Sequence, residues 1–247
     1  MTLSIGTRVL CAGLDLTLSA GELWAILGCN GSGKTTLLHA MAGLAHPGAG
    51  NVYVGEKPAA QWSRRALAQR VGLLLQREDA EFYGTVRDYV MLGRYPHASP
   101  WAGPGPADDD AVARALAAFD LGAVARQPYA TLSGGERQRA RLAQMWAQDP
   151  GVLLLDEPLQ HLDLRHQLQS VELVRSAVRD ARRCAVMVLH DLSFAARCDR
   201  VLLLHGDGRH ESGTAAQMLE PARLERLYGC RVRVYGTGAD THLVPVI

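Results

Sequence analysis

Three observations predict an α/β fold with a mainly parallel sheet. Short apolar runs at 23–27, 71–75, 152–155 and 185–189 each give way to a polar or glycine-rich turn and then a helix-like stretch. That rhythm belongs to strands buried on both faces of a parallel sheet. The 247 residues, 48% hydrophobic and 21% charged, suffice for one large core and exclude a disordered or fibrous chain. Finally, no apolar run approaches the about 20 residues that a membrane-crossing helix needs, so any pore must come from another chain.

The elements follow in order. Residues 1–18 carry Arg8, Asp15 and Thr17 where a signal peptide would be continuously apolar. The first core strand is 23–27, then a glycine-rich loop and a helix at 36–42. Strands are expected at 52–54, 71–75, 152–155, 185–189 and 201–204, and Gly206-Asp207-Gly208 predicts a hairpin after the last. Between about 77 and 148 the strand rhythm stops. Helix-like stretches at 85–93, 108–119 and 136–147 occupy this span, broken by a loop at 99–106 whose three prolines deny the backbone its donors. The chain therefore reads as one domain over 1–247 with a helical subdomain inserted at about 77–148.

A net charge of +1 gives no general attraction to nucleic acid or to an anionic membrane, so any polyanion must be met locally. Five cysteines, none spaced C-x-x-C, suggest neither a disulfide framework nor a zinc site, and fit a reducing compartment.

Gly28-Cys29-Asn30-Gly31-Ser32-Gly33-Lys34-Thr35 matches G-x-x-x-x-G-K-[ST] between a strand and the helix opening at Thr36. Its glycines let backbone N–H groups close around phosphates, and the helix dipole favours the same anion. Lys34 would reach the β- and γ-phosphates of a nucleotide, and the Thr35 hydroxyl would ligate Mg²⁺. Lysine occurs only at Lys34 and Lys57 in a chain that otherwise uses arginine, so one of two lysines falls in this loop. Cys29 sits among the same N–H groups and Lys34, which favour a nearby anion, so its thiol is a candidate for alkylation that bound nucleotide would block.

The strand at 152–155 ends in Asp156-Glu157, where a doubly wound sheet opens its ligand crevice. Successive side chains diverge, so Asp156 can hold Mg²⁺ through its water shell while Glu157 activates the attacking water. Ser133 and Glu136 form a capping box in Thr131-Leu132-Ser133-Gly134-Gly135-Glu136, opening a second helix whose start can meet a phosphate.

In this order, Gly28 to Thr35, Gln76, Leu132 to Glu136, Asp156-Glu157, Asp163 and His190 resemble the ATP-binding subunits of ABC transporters over nearly the whole chain. The resemblance implies a P-loop NTPase-type ABC ATPase domain with N-terminal antiparallel strands and a helical subdomain. It implies a head-to-tail homodimer with ATP and Mg²⁺ between the phosphate loop of one subunit and Ser133, Gly134 and Gly135 of the other. Gln76 matches the glutamine that senses the γ-phosphate and Mg²⁺ and relays this to membrane subunits; His190 matches the switch histidine at the γ-phosphate; Asp163 matches the D-loop aspartate. Two departures stand out. The aromatic that usually stacks on adenine is missing around Ser4-Ile5-Gly6, and the D-loop reads Gln160-His161-Leu162-Asp163 rather than S-A-L-D.

Without a fused membrane segment, a second cassette or a long heptad insertion, the chain resembles an importer subunit. It would be peripheral on the cytoplasmic face of the inner membrane, with polytopic permease subunits as partners, a substrate-binding protein as an indirect one, and no nucleic acid. Leu92-Gly93-Arg94-Tyr95-Pro96-His97 looks like the helical segment of ATPases serving iron-siderophore, haem and cobalamin importers. Trp62-Ser63 and Leu227-Tyr228-Gly229 favour cobalamin. A haem importer, and a soluble ABC-type ATPase without a membrane partner, are the alternatives. Arg137, Arg139 and Arg141 read as a solvated face of one helix.

Overall fold

The computed structural model describes residues 1–76, 81–99, 103–179, 183–236 and 242–246. The predicted start of the helical insertion at Arg77 and the Pro100-Trp101-Ala102 stretch of the proline-rich loop lie outside them. Strands β1 (Leu3–Ile5) and β2 (Arg8–Cys11) pair antiparallel, and β3 (Leu23–Leu27) passes through a loop into helix α1 (Lys34–Met41). A small ribbon of β4 (Tyr53–Val54) and β5 (Lys57–Pro58) precedes α2 (Arg64–Ala68) and β6 (Val71–Leu74). Then come α3 (Val86–Met91), α4 (Pro106–Ala118) and α5 (Gly134–Gln148). The chain re-enters the sheet with β7 (Val152–Asp156), crosses α6 (Leu164–Arg179) to β8 (Cys184–Val188), and turns through α7 (Leu192–Ala195) into the hairpin β9 (Arg200–Leu204) and β10 (His210–Thr214). It finishes with α8 (Ala215–Met218), α9 (Pro221–Tyr228) and a ribbon of β11 (Arg231–Tyr235) and β12 (His242–Val246).

The main sheet has the order β10-β9-β3-β8-β7-β6, parallel throughout except for β10. Its strands feed two cores alternately, because side chains one residue apart point to opposite faces. Leu23, Ala25 and Leu27 of β3, Leu153 and Leu155 of β7, and Ala185 and Met187 of β8 enter one core with α3, α4, α5 and α6. Trp24, Ile26, Leu154, Val186 and Val188 enter the other, beneath α1. Both faces are covered, which explains why the sequence shows unbroken apolar runs rather than alternation.

The core strands differ from the sequence reading by a residue at their ends. β6 stops at Leu74, β8 runs from Cys184 to Val188, and β7 includes Asp156, which pairs with Val188. Hydrophobicity ends at the first charge, whereas a hydrogen-bond ladder continues wherever a neighbour is in register. The ribbon of β11 and β12 was not read from the sequence, although Arg231-Val232-Arg233-Val234 carries period-two alternation.

Among the described residues between 81 and 148 there is no strand of the main sheet. Tyr89 and Tyr129 stack with centroids 4.1 Å apart and Phe82 meets both edge-on. Gly93 lies so close to α5 that a Cβ there would stand 2.0 Å from the Gln144 carbonyl oxygen, so no larger residue fits. Next to it, half-buried Arg94 donates from Nε to Asp108 at 2.8 Å and from Nη1 to the Ala147 carbonyl at 2.7 Å. His97 Nε2 lies 2.8 Å from the Gln148 carbonyl. The segment Leu92 to His97 thus clamps α4 to the end of α5. Arg94→Ala is expected to lower unfolding stability by about 1–3 kcal/mol, because it takes a charged donor from the Asp108 carboxylate, which keeps only the Gly105 amide, and from the Ala147 carbonyl. An unchanged urea midpoint would contradict this role. The Gly105 amide, then Arg94, holds the Asp108 carboxyl below its ordinary range. Its contribution is therefore present above about pH 4 and is lost as pH falls through the lowered pKa.

Trp62 turns out to be a packing residue. Its Nε1 donates to the Val54 carbonyl at 3.3 Å, and Arg70 and Lys57 lie over its ring at 4.0 and 5.0 Å.

Candidate nucleotide site

In a parallel sheet all strands point the same way, so loops that follow neighbouring strands converge at one edge. Here the loop after β3, the Asp156-Glu157 end of β7 and His190 after β8 meet at that edge, because β8 sits between β3 and β7. At the loop's close, Gly33 is the N-cap of α1 with φ of 101°, a conformation that favours glycine, and it offers no side chain to the helix start. The first-turn N–H groups of Lys34, Thr35 and Thr36 are left for an outside acceptor. Cys29, Asn30 and Gly31 are exposed, Gly28 and Ser32 buried.

Lys34 is buried and donates from Nζ to the carbonyls of Gly28 at 2.8 Å and Cys29 at 3.0 Å. Burial pushes its pKa down, and Glu157 and Asp156 nearby oppose that shift. Burial also pushes Asp156 up, with the Thr35 hydroxyl pulling the other way without the geometry of a full hydrogen bond. Asp156 is 1% exposed. Neither of its carboxylate oxygens, nor the buried Ser32 Oγ, has a hydrogen-bond partner among the described residues. A buried carboxylate and hydroxyl with no partner beside a lysine and open helix N–H groups fit a phosphate chain with a hydrated divalent cation.

Glu157 turns away from Asp156, its backbone in the left-handed region at φ of 50° and its side chain 10% exposed. His190 Nε2 lies 2.8 Å from its Oε1. Gln76 is exposed just past β6, its carbonyl accepting from Arg141 at 3.4 Å. Arg141 also donates to the Leu75 carbonyl and, at 2.9 Å, to Gln138 Oε1. Gln138, 4% exposed, donates in turn to the Pro158 carbonyl at 2.9 Å. Arg141 and Gln138 therefore tie the Gln76 loop to the Glu157 loop, a link the sequence reading missed. Arg139 donates to the Phe119 and Asp120 carbonyls, and Arg137 lies over Tyr129. Arg137 is exposed, in keeping with a solvated face, whereas half-buried Arg139 and Arg141 also tie neighbouring loops to α5.

Ser133 caps α5 in the predicted box, accepting from the Glu136 amide at 3.3 Å while the Glu136 carboxylate takes the Ser133 amide at 2.9 Å. Ser133 and Gly134 are exposed and Gly135 lies beneath the His161 carbonyl; none of the three bonds to residues 28–36 among the described residues. Asp163 is exposed too, accepting from the His166 amide and ring at 2.9 and 2.8 Å as a cap for α6. The edge where adenine stacking was missing presents Ile5, 59% exposed. Cys29 Sγ donates to the Leu227 carbonyl at 3.2 Å. Cys11, Cys184 and Cys198 are buried, the latter two thiols pushed up to about 11 and about 12 by burial.

A parallel sheet carrying a glycine-rich loop and buried lysine after its central strand, with an acidic strand end beside them, defines a P-loop nucleotide-hydrolysing protein. A family model described as ABC transporter matches residues 11–160. The chain belongs to that family and is one of its ATP-binding, ATP-hydrolysing domains. It is 42% identical over 236 residues to a hemin import ATP-binding protein, HmuV, of Pseudomonas aeruginosa, covering 93% of this chain and 90% of that one. It is 39% identical over 244 residues to a cobalamin import ATP-binding protein, BtuD, of Halobacterium salinarum, covering 98% of this chain and 60% of the other. Among solved structures, a metal-chelate type ABC transporter in an inward-facing conformation superposes with a TM-score of 0.81 at 27% identity, over 95% of this chain and 90% of that chain. A dimeric ATP-binding cassette bound to ADP and Pi superposes at 0.72 and 25% identity, over 85% and 94%. No helix of the described residues is long and apolar enough to cross a membrane.

Proposed function

We propose that this chain powers an importer for a metal chelate of the hemin or cobalamin type, working as a head-to-tail homodimer on the cytoplasmic face of the membrane beneath permease subunits. A single observation supports the catalytic part: buried Lys34 and the Glu157–His190 pair meet at one sheet edge. The phosphates of ATP lie against the N–H groups of residues 29–36, with Lys34 moving from the loop carbonyls to the β- and γ-oxygens. A Mg²⁺ bound near Thr35, Asp156 and Gln76 would neutralise charge on those oxygens. Water attacks the γ-phosphorus, the bond to the β–γ bridging oxygen breaks, and Glu157 takes the water's proton, giving ADP and phosphate. His190 meets the γ-phosphate from its exposed side. Ser133 and Gly134, exposed in one subunit, complete the partner's site together with Gly135, and Asp163 reaches across from the same surface. The helices between about 77 and 148, tied to Gln76 through Arg141, carry the signal to the permease.

The relatives' names support the cargo class, hemin and cobalamin both being tetrapyrrole-type metal chelates. The test is uptake of labelled hemin, cobalamin and ferric siderophore in a deletion strain, with copurification of the membrane partner. Uptake of all three at wild-type rates would refute the cargo, and failure to copurify with any polytopic protein would favour a cassette without a membrane partner.

Exposure leaves Cys29 the thiol most open to maleimide, and it borders the phosphate region. Labelling is expected at Cys29, to be slowed by MgATP, and to block ATP binding in the wild type but not in Cys29→Pro. Equal labelling rates with and without nucleotide, by peptide mapping, would contradict this.

A further inference from the structure

We propose that Gln160 is a positioning residue for Glu157, holding its carboxylate in the orientation from which it acts on water; this rests on the reading of Glu157 as the base. Gln160 Nε2 donates to Glu157 Oε2 while His190 Nε2 engages Oε1, so each oxygen of the carboxylate has its own partner. The backbone enforces the meeting. Glu157 adopts φ of 50°, and the Gln160 amide donates back to the Glu157 carbonyl at 3.3 Å, which returns the side chain of residue 160 to that of residue 157. The turn is fixed along its length: Pro158 is held by buried Gln138, Leu159 packs on the core, and Leu162 is buried.

A carboxylate held by a single hydrogen bond swings about its last bond whenever that one contact breaks, losing the aligned geometry that proton transfer requires; a second contact must break as well before the group can turn. Glutamine at position 160 supplies the second fixed point, because its amide is a donor and its arm spans the turn. The serine of the S-A-L-D pattern has too short an arm to make this contact.

The test compares steady-state hydrolysis, ATP affinity and ATP-driven dimerisation in Gln160→Met, Gln160→Asn and Gln160→Glu. Met keeps the volume without the donor, Asn keeps the amide one methylene short, and Glu sets a carboxylate against a carboxylate. Met and Asn are expected to lower kcat about tenfold or more with KM for ATP and dimerisation unchanged, and Glu to lower it further. Wild-type kcat in Met or Asn would overturn the proposal. So would a fall in ATP affinity parallel to kcat, the mark of a merely structural part. Glu157→Gln is measured alongside: if it still hydrolyses ATP, the base assignment fails and this role falls with it, whereas an inactive Glu157→Gln beside a fully active Gln160→Met sinks the Gln160 role alone.

Discussion

Glu157→Gln is expected to lower ATP hydrolysis by about 10²- to 10⁴-fold, the contribution of a positioned general base, while leaving ATP binding intact. The amide keeps the shape of the side chain and removes its ability to take a proton. Binding is expected to survive because the proposed phosphate contacts are those of Lys34 and the N–H groups of the loop. With hydrolysis blocked, the ATP-bound dimer should accumulate. Size-exclusion chromatography with ATP and Mg²⁺ checks this: persistent turnover in a protein that stays monomeric would remove Glu157 from the role of base.

The second large effect is expected at Lys34. Lys34→Ala removes a charged donor from a site where burial has already displaced water, so a charge-assisted contact worth about 1.5–3 kcal/mol is lost. That corresponds to a fall in ATP affinity of roughly 10- to 150-fold, and turnover falls with it because the γ-phosphate loses its counter-charge. Removing Nζ also leaves the Gly28 and Cys29 carbonyls without the donor they share. Part of the loss should therefore appear as lower thermal stability without nucleotide. Calorimetric titration with ATP separates the two effects, and near-normal affinity would exclude Lys34 from the phosphate site.

Much of this was legible before any coordinates. The loop Gly28 to Thr35 announced itself because phosphate binding demands glycines at fixed spacing along one stretch of chain, and the capping box at Ser133 and Glu136 because a helix start is satisfied within four residues. The core strands were legible because burial on both faces makes them continuously apolar. Local signals failed where the chemistry is shared between distant segments. Nothing in the composition around Arg141 says that it grips the Gln76 carbonyl 65 residues earlier. The D-loop departure was visible as letters, but the contact of Gln160 with Glu157, though only three residues apart, depends on the left-handed backbone of Glu157, which no letter shows.

The sequence by itself determined the α/β class, the glycine-rich loop after β3 and the acids at the end of β7, since each depends on neighbours along the chain, and the family, from the order of its motifs. Only the tertiary structure decided that His190 meets Glu157 across 33 residues, that Asp156 is buried with unpartnered oxygens, and that Arg141 and Gln138 join two loops. The physical reason is that strand order and register set such contacts. In this sheet β8 stands between β3 and β7, so segments far apart in the chain end at one edge, and no local periodicity encodes that order.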